Sequence, residues 1–184
     1  MRRLSLRMAV FCVVVLAGWI SPTAAYNFTS ITSWSVKRAG TSVDMSKFQS
    51  VDDGAGLAAN TGTVLVHVWA TWCGPCVAEL PAFNNFAERM EKRGIPVVAL
   101  SVDHGGLNDV KPFMAKHPSF AHTHVLLDPT YLSGEQWGIR ILPTTLLIKE
   151  GREVARLIGK GDWDGDEGEE LTALLSQLKG QDLK

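Results

Sequence analysis

Residues Trp69–Cys76 read WATWCGPC and join a strand-like run of the sequence to a helix-like one. Before them, Thr63–Ala70 is a nearly continuous β-rich run, which is typical of a strand buried on both faces. After them, apolar residues recur at helical spacing up to Gly94, a residue that commonly ends helices; they are Leu80, Phe83, Ala87 and Met90. The sequence therefore predicts a strand followed by a helix over Cys73–Arg93, with both cysteines at the start of that helix.

The two cysteines of this stretch can act as a chemical pair. Cys73 and Cys76 lie three residues apart, so on a helix they share one face. Backbone N–H groups and the helix dipole favour the thiolate form of Cys73, the cysteine nearer the helix end. Lowering a thiol pKa from about 8.5 to about 7 raises the thiolate share at pH 7 from about 3% to one half, roughly 16-fold more nucleophile. We expect Cys73 to attack a disulfide and Cys76 to resolve the mixed disulfide.

Three structural explanations of the pair compete with redox chemistry. A structural disulfide that closes so small a loop would contribute only about 2 kcal/mol, and a domain of this size does not need it. A zinc half-site would require a second C-x-x-C, which the sequence lacks. Core packing alone does not explain two cysteines with Gly74 and Pro75 between them. The pattern therefore favours a redox pair over all three.

The rest of the chain alternates strand and helix patterns without internal repeats. In order, we predict strand Ile95–Val102, helix Leu107–Lys116, strand His124–Leu127, helix Thr130–Trp137, and a hairpin of Thr144–Lys149 and Glu153–Ile158 around Glu150-Gly151. An acidic run, Gly161–Glu170, precedes a last helical stripe, and we interpret it as a solvated helix start rather than a metal or partner site. The pattern predicts one α/β domain, with a central mixed β-sheet flanked by helices on both faces.

The N-terminus has the three parts of a secretory signal peptide. Three arginines precede a 13-residue apolar run, Met8–Ile20, and small residues follow as far as Ala25. We assign residues 1–25 to the signal peptide, with cleavage before Tyr26, residues 26–62 to an N-terminal extension with the first strand or strands, and residues 63–184 to the main domain. A retained membrane anchor is the alternative, although a spanning helix needs roughly 20 apolar residues.

Composition, charge and cysteine count limit the class of protein further. The 184 residues are 46% hydrophobic and 20% charged, which suits a globular core and excludes intrinsic disorder. The formal net charge of -1 shows no footprint for nucleic acid or an anionic membrane. Three cysteines leave one unpaired, but Cys12 lies in the predicted signal peptide. The mature protein would therefore keep Cys73 and Cys76 alone.

The stretch WATWCGPC resembles the active site of the thioredoxin superfamily. Downstream, Leu142-Pro143-Thr144-Thr145 resembles the cis-proline loop of that superfamily. The sequence is most similar to the TlpA-like branch of exported thiol–disulfide oxidoreductases, which shows a glutamate three residues after the second cysteine and a proline two further on, here Glu79 and Pro81. That branch also carries an extra strand–helix insertion before the cis-proline. The resemblance covers about Thr63–Leu178 and implies a thioredoxin fold for the main domain.

The resemblance implies roles for residues around the pair. Pro143 would be cis and lie against the cysteines, which leaves the backbone of Leu142 free to pair with an extended client segment. In this branch the acid corresponding to Glu79 is buried near the pair, which implies a role in proton transfer or pKa control. A partly buried carboxylate there should have a raised pKa. Trp72 would shield Cys73, and with Gly74 and Pro75 it completes the predicted client-binding residues.

His67 stands on the predicted buried strand where thioredoxin itself keeps a buried acid. A histidine at this position could relay the proton of the resolving thiol. It could also be an ordinary core histidine whose hydrogen bonds are satisfied. Both interpretations stay open at the level of the sequence.

Taken together, the resemblance implies an exported, periplasmic thiol–disulfide oxidoreductase that acts as a reductase through Cys73 and Cys76 and needs no cofactor. Its expected partners are client proteins with disulfides or thiols, suggested by the family to be cytochrome c maturation or copper-delivery proteins, and a membrane electron-donor protein. A disulfide oxidase or isomerase is one alternative. A non-catalytic copper metallochaperone is another, with the two cysteines and a histidine such as His124 as ligands.

Overall fold

The computed structural model describes residues 33–36, 40–52 and 62–179. The predicted signal peptide, its cleavage site before Tyr26 and Cys12 lie outside the described residues. In the described ranges, no helix combines the length and the apolar character needed to cross a membrane.

The described strands form one mixed sheet with the spatial order β1-β7-β6-β3-β4-β5-β2. In chain order the strands are β1 (Ser35–Val36), β2 (Gln49–Ser50), β3 (Thr63–Trp69), β4 (Val97–Ser101), β5 (His124–Leu127), β6 (Thr144–Lys149) and β7 (Arg152–Ile158). β1 and β2 come from the N-terminal extension and pair antiparallel with β7 and β5, at the two edges of the sheet. The extension therefore belongs to the same sheet as the rest of the described chain.

β3 is the central strand, as its continuous apolar run predicts. It pairs in parallel with β4 and antiparallel with β6, and all of its residues from Val64 to Trp69 are buried. A strand hydrogen-bonded on both sides and covered on both faces has no solvent-facing positions, so it shows no alternation of polar residues. The strand ends at Trp69, one residue before the predicted boundary.

Helices cover both faces of the sheet. They are α1 (Gly74–Glu91), α2 (Leu107–Lys116), α3 (Leu132–Trp137) and α4 (Asp166–Lys179). Leu65 of β3 packs into one buried cluster with apolar residues of α1 and α4. Val66 points to the opposite face, because strand side chains alternate, and packs there with Val110 of α2 and Trp137 of α3. The two clusters are the two halves of the core.

The sheet register places the two halves of the candidate site together. Val68, near the end of β3, pairs with Thr144 at the start of β6, because these strands run antiparallel. The cysteine stretch directly follows β3, and the peptide bond Leu142–Pro143 directly precedes β6 and is cis, as the resemblance implied. Both segments therefore lie at the same end of the two neighbouring central strands.

The remaining predicted elements are present with small shifts of boundary. Two strand–helix units, β4–α2 and β5–α3, lie between α1 and Pro143, which accommodates the extra insertion. The hairpin turns through Glu150 and Gly151 with φ of 50° and 69°, and left-handed residues at both positions suit a two-residue hairpin turn. α4 begins with Asp166, Glu167 and Glu169 in its first turn, as expected for a solvated helix start.

Candidate active site

Cys73 and Cys76 are joined in a disulfide at the N-terminus of α1. Cys73 is the N-cap residue of the helix, and its Sγ accepts a hydrogen bond of 3.3 Å from the backbone N–H of Cys76. Cys76 is fully buried, whereas Cys73 keeps 6% of its surface exposed. Cys73 is therefore the more accessible of the two cysteines, and the attacking and resolving roles stay predictions.

An open groove of about 550 Å³ runs beside the disulfide. Its lining residues are Trp72, Cys73, Gly74, Pro75, Val102, His104, Tyr131, Arg140 and Leu142. Trp72 is 67% exposed and Ile141, next to the lining residues Arg140 and Leu142, is 56% exposed. All four residues predicted to contact a client, Trp72, Gly74, Pro75 and Leu142, line this groove. Trp72 stands open to solvent on the groove wall, where it can pack against a bound segment.

The cis-proline loop is held in place by hydrogen bonds on both sides. Thr144 Oγ1 donates to the carbonyl of Ile141 at 2.7 Å, and the backbone N–H of Gly159 donates to the carbonyl of Pro143 at 2.8 Å. The first bond closes the turn, and the second ties it to the end of β7. Leu142 is consequently presented to the groove by a rigid turn.

Asp103 anchors the loop that carries the cysteines, a role that the sequence analysis missed. Its carboxylate is buried and accepts hydrogen bonds from the Thr71 backbone N–H at 3.0 and 3.2 Å, from Thr71 Oγ1 at 2.6 Å and from Ser101 Oγ at 2.7 Å. Thr71 lies two residues before Cys73. The available signal was a polar residue just after a buried parallel strand, at the sheet edge where the redox motif leaves β3.

Glu79 is buried one helical turn after Cys76, as the resemblance implied. It is 2% exposed, and its Oε2 accepts hydrogen bonds from the backbone N–H of Gly161 at 2.7 Å and from Trp163 Nε1 at 2.9 Å. Burial raises the pKa of Glu79 to about 7, and the two hydrogen bonds and the charge of Lys160 partly offset that rise. The carboxyl group can therefore take up or release a proton near neutral pH.

His67 is a fully buried neighbour of Glu79. Its Nδ1 lies 2.9 Å from Thr145 Oγ1, and its Nε2 lies 3.5 Å from Oε1 of Glu79. The imidazole stacks on Phe83, with ring centres 4.2 Å apart. Burial lowers the pKa of His67 to about 3, so the ring is neutral at ordinary pH.

The other histidines do not join the cysteines in a metal-binding cluster. Nδ1 of His122 lies 2.8 Å from the Glu91 carboxylate, and His124 begins β5 at an exposed position. His117 stacks on Phe113, and His104 lines the groove. Among residues 33–36, 40–52 and 62–179, no group of three or more histidine, cysteine or acidic side chains could hold a metal ion.

Comparison with known proteins identifies the family. Residues 28–174 match the Redoxin family. The chain belongs to the Redoxin family. Within this Redoxin domain lie the cysteine pair, Glu79, the cis-proline loop and most of α4.

Curated relatives of this Redoxin chain carry thiol chemistry in their names. A thioredoxin-like protein of Haemophilus influenzae is 33% identical over 88 residues, which are 48% of this chain and 49% of that protein. The thiol-disulfide oxidoreductase ResA of Bacillus cereus is 32% identical over 101 residues, 53% of this chain and 55% of that protein. The chain thus spans about half the length of these curated relatives.

Solved structures share the fold of this Redoxin chain. A Chlorobium tepidum protein assigned as DsbE superposes with a TM-score of 0.60 at 24% identity, over 76% of this chain and 98% of that one. The exposed lipoprotein thioredoxin Etrx1 of Streptococcus pneumoniae gives a TM-score of 0.56 at 27% identity, over 72% of this chain and 96% of that one. The predicted thioredoxin fold and the TlpA-like membership are confirmed.

Proposed function

We propose that this protein is an exported thiol–disulfide oxidoreductase that works as a reductase on client proteins. The observation that carries the proposal is the Cys73–Cys76 disulfide at a helix N-terminus, with one sulfur open to a groove and the other buried. The relatives named thioredoxin-like protein and thiol-disulfide oxidoreductase ResA support the same chemistry.

The two sulfurs would act in sequence. In the reduced protein the Cys73 thiolate attacks a client disulfide, forms a mixed disulfide and releases the first client sulfur as a thiolate, which takes up a proton. The Cys76 thiol then loses its proton to the ionised Glu79 carboxylate, attacks Cys73 Sγ and releases the second client thiolate. Two electrons pass to the client and the Cys73–Cys76 disulfide forms. A dithiol donor, for which we propose a membrane electron-donor protein, must reduce it again.

The client segment would lie in the groove. Leu142 lines the groove together with Trp72, Gly74 and Pro75 of the cysteine loop. An extended segment bound along Leu142 would bring its own disulfide to Cys73, in the manner of strand addition. His67 lies behind Glu79, away from this surface, so any role it has is exerted through Glu79.

Direction and location belong to the same proposal. The Gly74-Pro75 pair between the cysteines resembles that of strongly reducing members of the superfamily, which favours a reductase over an oxidase or isomerase. The signal-peptide pattern of residues 1–25 supports a periplasmic protein, with membrane anchoring through that segment as the alternative. Clients in cytochrome c maturation or copper delivery remain suggestions from the resemblance.

A trapping experiment tests the activity. Cys76→Ala should accumulate client proteins on Cys73 as mixed disulfides, because the resolving thiol is gone. Cys73→Ala is the matched control and should trap none, since the remaining sulfur is buried. Clients trapped equally by both variants, or by neither, would contradict the assigned roles of the two cysteines.

A redox titration tests the direction. A reductase should show a midpoint near that of thioredoxin, about -270 mV, whereas a midpoint near -120 mV would indicate an oxidase. Stoichiometric copper added to the reduced protein separates the metallochaperone. Tight binding that His124→Ala abolishes, without any disulfide-reductase turnover, would support the chaperone and contradict the enzyme.

A further inference from the structure

The two oxygens of Glu79 are not equivalent. Oε2 accepts from the backbone N–H of Gly161 at 2.7 Å and from Trp163 Nε1 at 2.9 Å. Both partners can only donate a hydrogen, so Oε2 must stay an acceptor. When Glu79 carries a proton, that proton is therefore on Oε1.

Oε1 points at a second buried atom that also lacks a partner. Among the described residues, neither Glu79 Oε1 nor His67 Nε2 makes a hydrogen bond, and the two atoms face each other at 3.5 Å with both side chains fully buried. Buried polar atoms are almost always hydrogen-bonded. A small rotation of either side chain would let these two satisfy each other with one shared hydrogen.

The other ring nitrogen of His67 contacts a hydroxyl group, which can donate or accept a hydrogen bond. His67 Nδ1 lies 2.9 Å from Thr145 Oγ1, and a hydroxyl can donate or accept. A neutral imidazole carries one ring hydrogen, so one nitrogen donates and the other accepts. The donor-to-acceptor direction of both hydrogen bonds in the series Glu79–His67–Thr145 can therefore be reversed while the ring stays neutral.

We infer that His67 is a neutral tautomer switch whose ring hydrogen sits on Nδ1 when Glu79 is protonated and on Nε2 when Glu79 is ionised. In the first state Glu79 Oε1–H donates to Nε2, and Nδ1–H donates to Thr145 Oγ1. In the second state Nε2–H donates to the Oε1 carboxylate, and the Thr145 hydroxyl has rotated to donate to Nδ1. The two states differ by one proton: the hydrogen of Glu79 Oε1 becomes the Nε2 hydrogen, and the hydrogen that Nδ1 held is the one released to solvent.

The switch gives the ionised Glu79 a hydrogen-bond donor that a histidine fixed in the Nδ1–H tautomer would not supply. Oε1 gains an N–H bond only after it has lost its own proton, so the site stabilises both charge states. This makes His67 a positioning residue that acts through Glu79, and its relevance to turnover rests on the proposed function. A purely structural histidine, held by Phe83 and Thr145, would keep one tautomer at every pH.

Few other charges face the pair. Lys160 attracts the carboxylate from the loop after β7, and Asp162 and Glu167 line a surface groove of about 430 Å³ beside Glu79, whose side chain has no exposed surface. On α1, Cys76 lies one turn earlier and titrates only when the disulfide is reduced.

Nitrogen-15 NMR of histidine-labelled protein tests the switch directly. With the disulfide intact, the His67 Nδ1 chemical shift should change from that of a protonated nitrogen to that of an unprotonated one as pH rises, and the Nε2 shift should change in the opposite direction. Both changes should have the same midpoint as the chemical shift of the Glu79 carboxyl carbon. His122, whose Nδ1 lies 2.8 Å from the exposed Glu91 carboxylate, is outside the series Glu79–His67–Thr145 and serves as an internal control that should not follow the Glu79 midpoint. A single His67 tautomer throughout, or an imidazolium at the Glu79 midpoint, would overturn the inference.

Glu79→Gln supplies a second, independent test. The two fixed donors require an acceptor at the Oε2 position, so the new amide NH₂ must occupy the Oε1 position and donate to His67 Nε2. The variant should therefore show the Nδ1–H tautomer at all pH values, and a tautomer change that persists would contradict the switch. Because the disulfide form needs no client, an inactive protein with a working switch would refute only the proposed function.

Discussion

The imidazole of His67 and the carboxyl group of Glu79 face each other at 3.5 Å in the core and store one proton in opposite places before and after folding. In the unfolded chain the ordinary pKa values are 6.5 for His67 and 4.5 for Glu79, so between pH 4.5 and 6.5 the histidine carries the proton. In the folded protein the pKa values are about 3 and about 7, so over the same range the glutamate carries it. Both states then bind the same number of protons. Between pH 4.5 and 6.5 the pair therefore adds almost no pH dependence to stability, although each residue alone would.

Glu79→Gln should expose the pH dependence of the histidine. With the glutamate gone, the unfolded chain binds one more proton than the folded protein between pH 3 and 6.5, so stability rises with pH across that window. From about pH 5 to 6.5 the free energy of unfolding should increase by about 2 kcal/mol relative to the wild type. Urea unfolding at a series of pH values measures this, and a parallel pair of curves would contradict it.

His67→Phe should show the opposite slope. The aromatic ring keeps the stacking on Phe83 while only Glu79 titrates, and its folded pKa lies above its unfolded one. The folded protein then binds the extra proton, so stability falls as pH rises from 4.5 to 7, by about 3 kcal/mol relative to the wild type. The same urea series checks it, and a variant less stable by a constant amount at every pH would show that the ring only packs.

Asp103→Asn should loosen the cysteine loop. The carboxylate accepts from both Thr71 donors, and an amide would turn N–H groups toward at least one of them. We expect a loss of about 2 to 3 kcal/mol in unfolding free energy, the range for buried hydrogen bonds to a charged group. Asp109→Asn is the matched control, because Asp109 is exposed and caps a single backbone N–H, that of Gly105. Equal effects of the two variants would argue against an anchoring role.

Arg140→Glu should change which clients react. Arg140 lines the groove beside Cys73, no acidic side chain lines it among the described residues, and Arg140 makes no ion pair with any of them. At low salt, kcat/KM for a disulfide peptide with acidic residues beside its cysteine should fall about tenfold, since one or two unit charges at contact are worth roughly 1 to 2 kcal/mol in water. Arg93→Glu changes the net charge equally at the far end of α1 and should leave the rate within about twofold of the wild type. A rate insensitive to Arg140→Glu would show that the groove does not select by charge.

Local patterns in the sequence predicted the elements that carry the chemistry. The β3–α1 junction, the Glu150-Gly151 hairpin and the start of α4 each depend on residues within one or two turns of one another, where periodicity and turn chemistry act. The resemblance added the cis-proline and the buried Glu79. The predicted boundaries agree with the observed ones or differ from them by one or two residues, and the differences arise because helix and strand termini depend on tertiary packing.

Long-range contacts were not predicted from the sequence. Glu79 bonds to Gly161 and Trp163, 82 and 84 positions away, and His67 meets Thr145 across 78 positions. No period or spacing connects such residues, because the fold alone brings them together. The anchoring of Thr71 by Asp103 also joins distant residues, 32 positions apart, and its one local signal was the place of Asp103 just after a buried parallel strand.

The sequence by itself determined the redox pair, because two cysteines at a helix start after a buried strand are a local arrangement with a local chemical consequence. Which atoms surround the acid behind the pair, only the tertiary structure decided. The physical reason is burial. A pKa near neutrality for Glu79 and a neutral His67 arise from excluding water, and water is excluded by elements that are distant in the chain and meet only in the folded core.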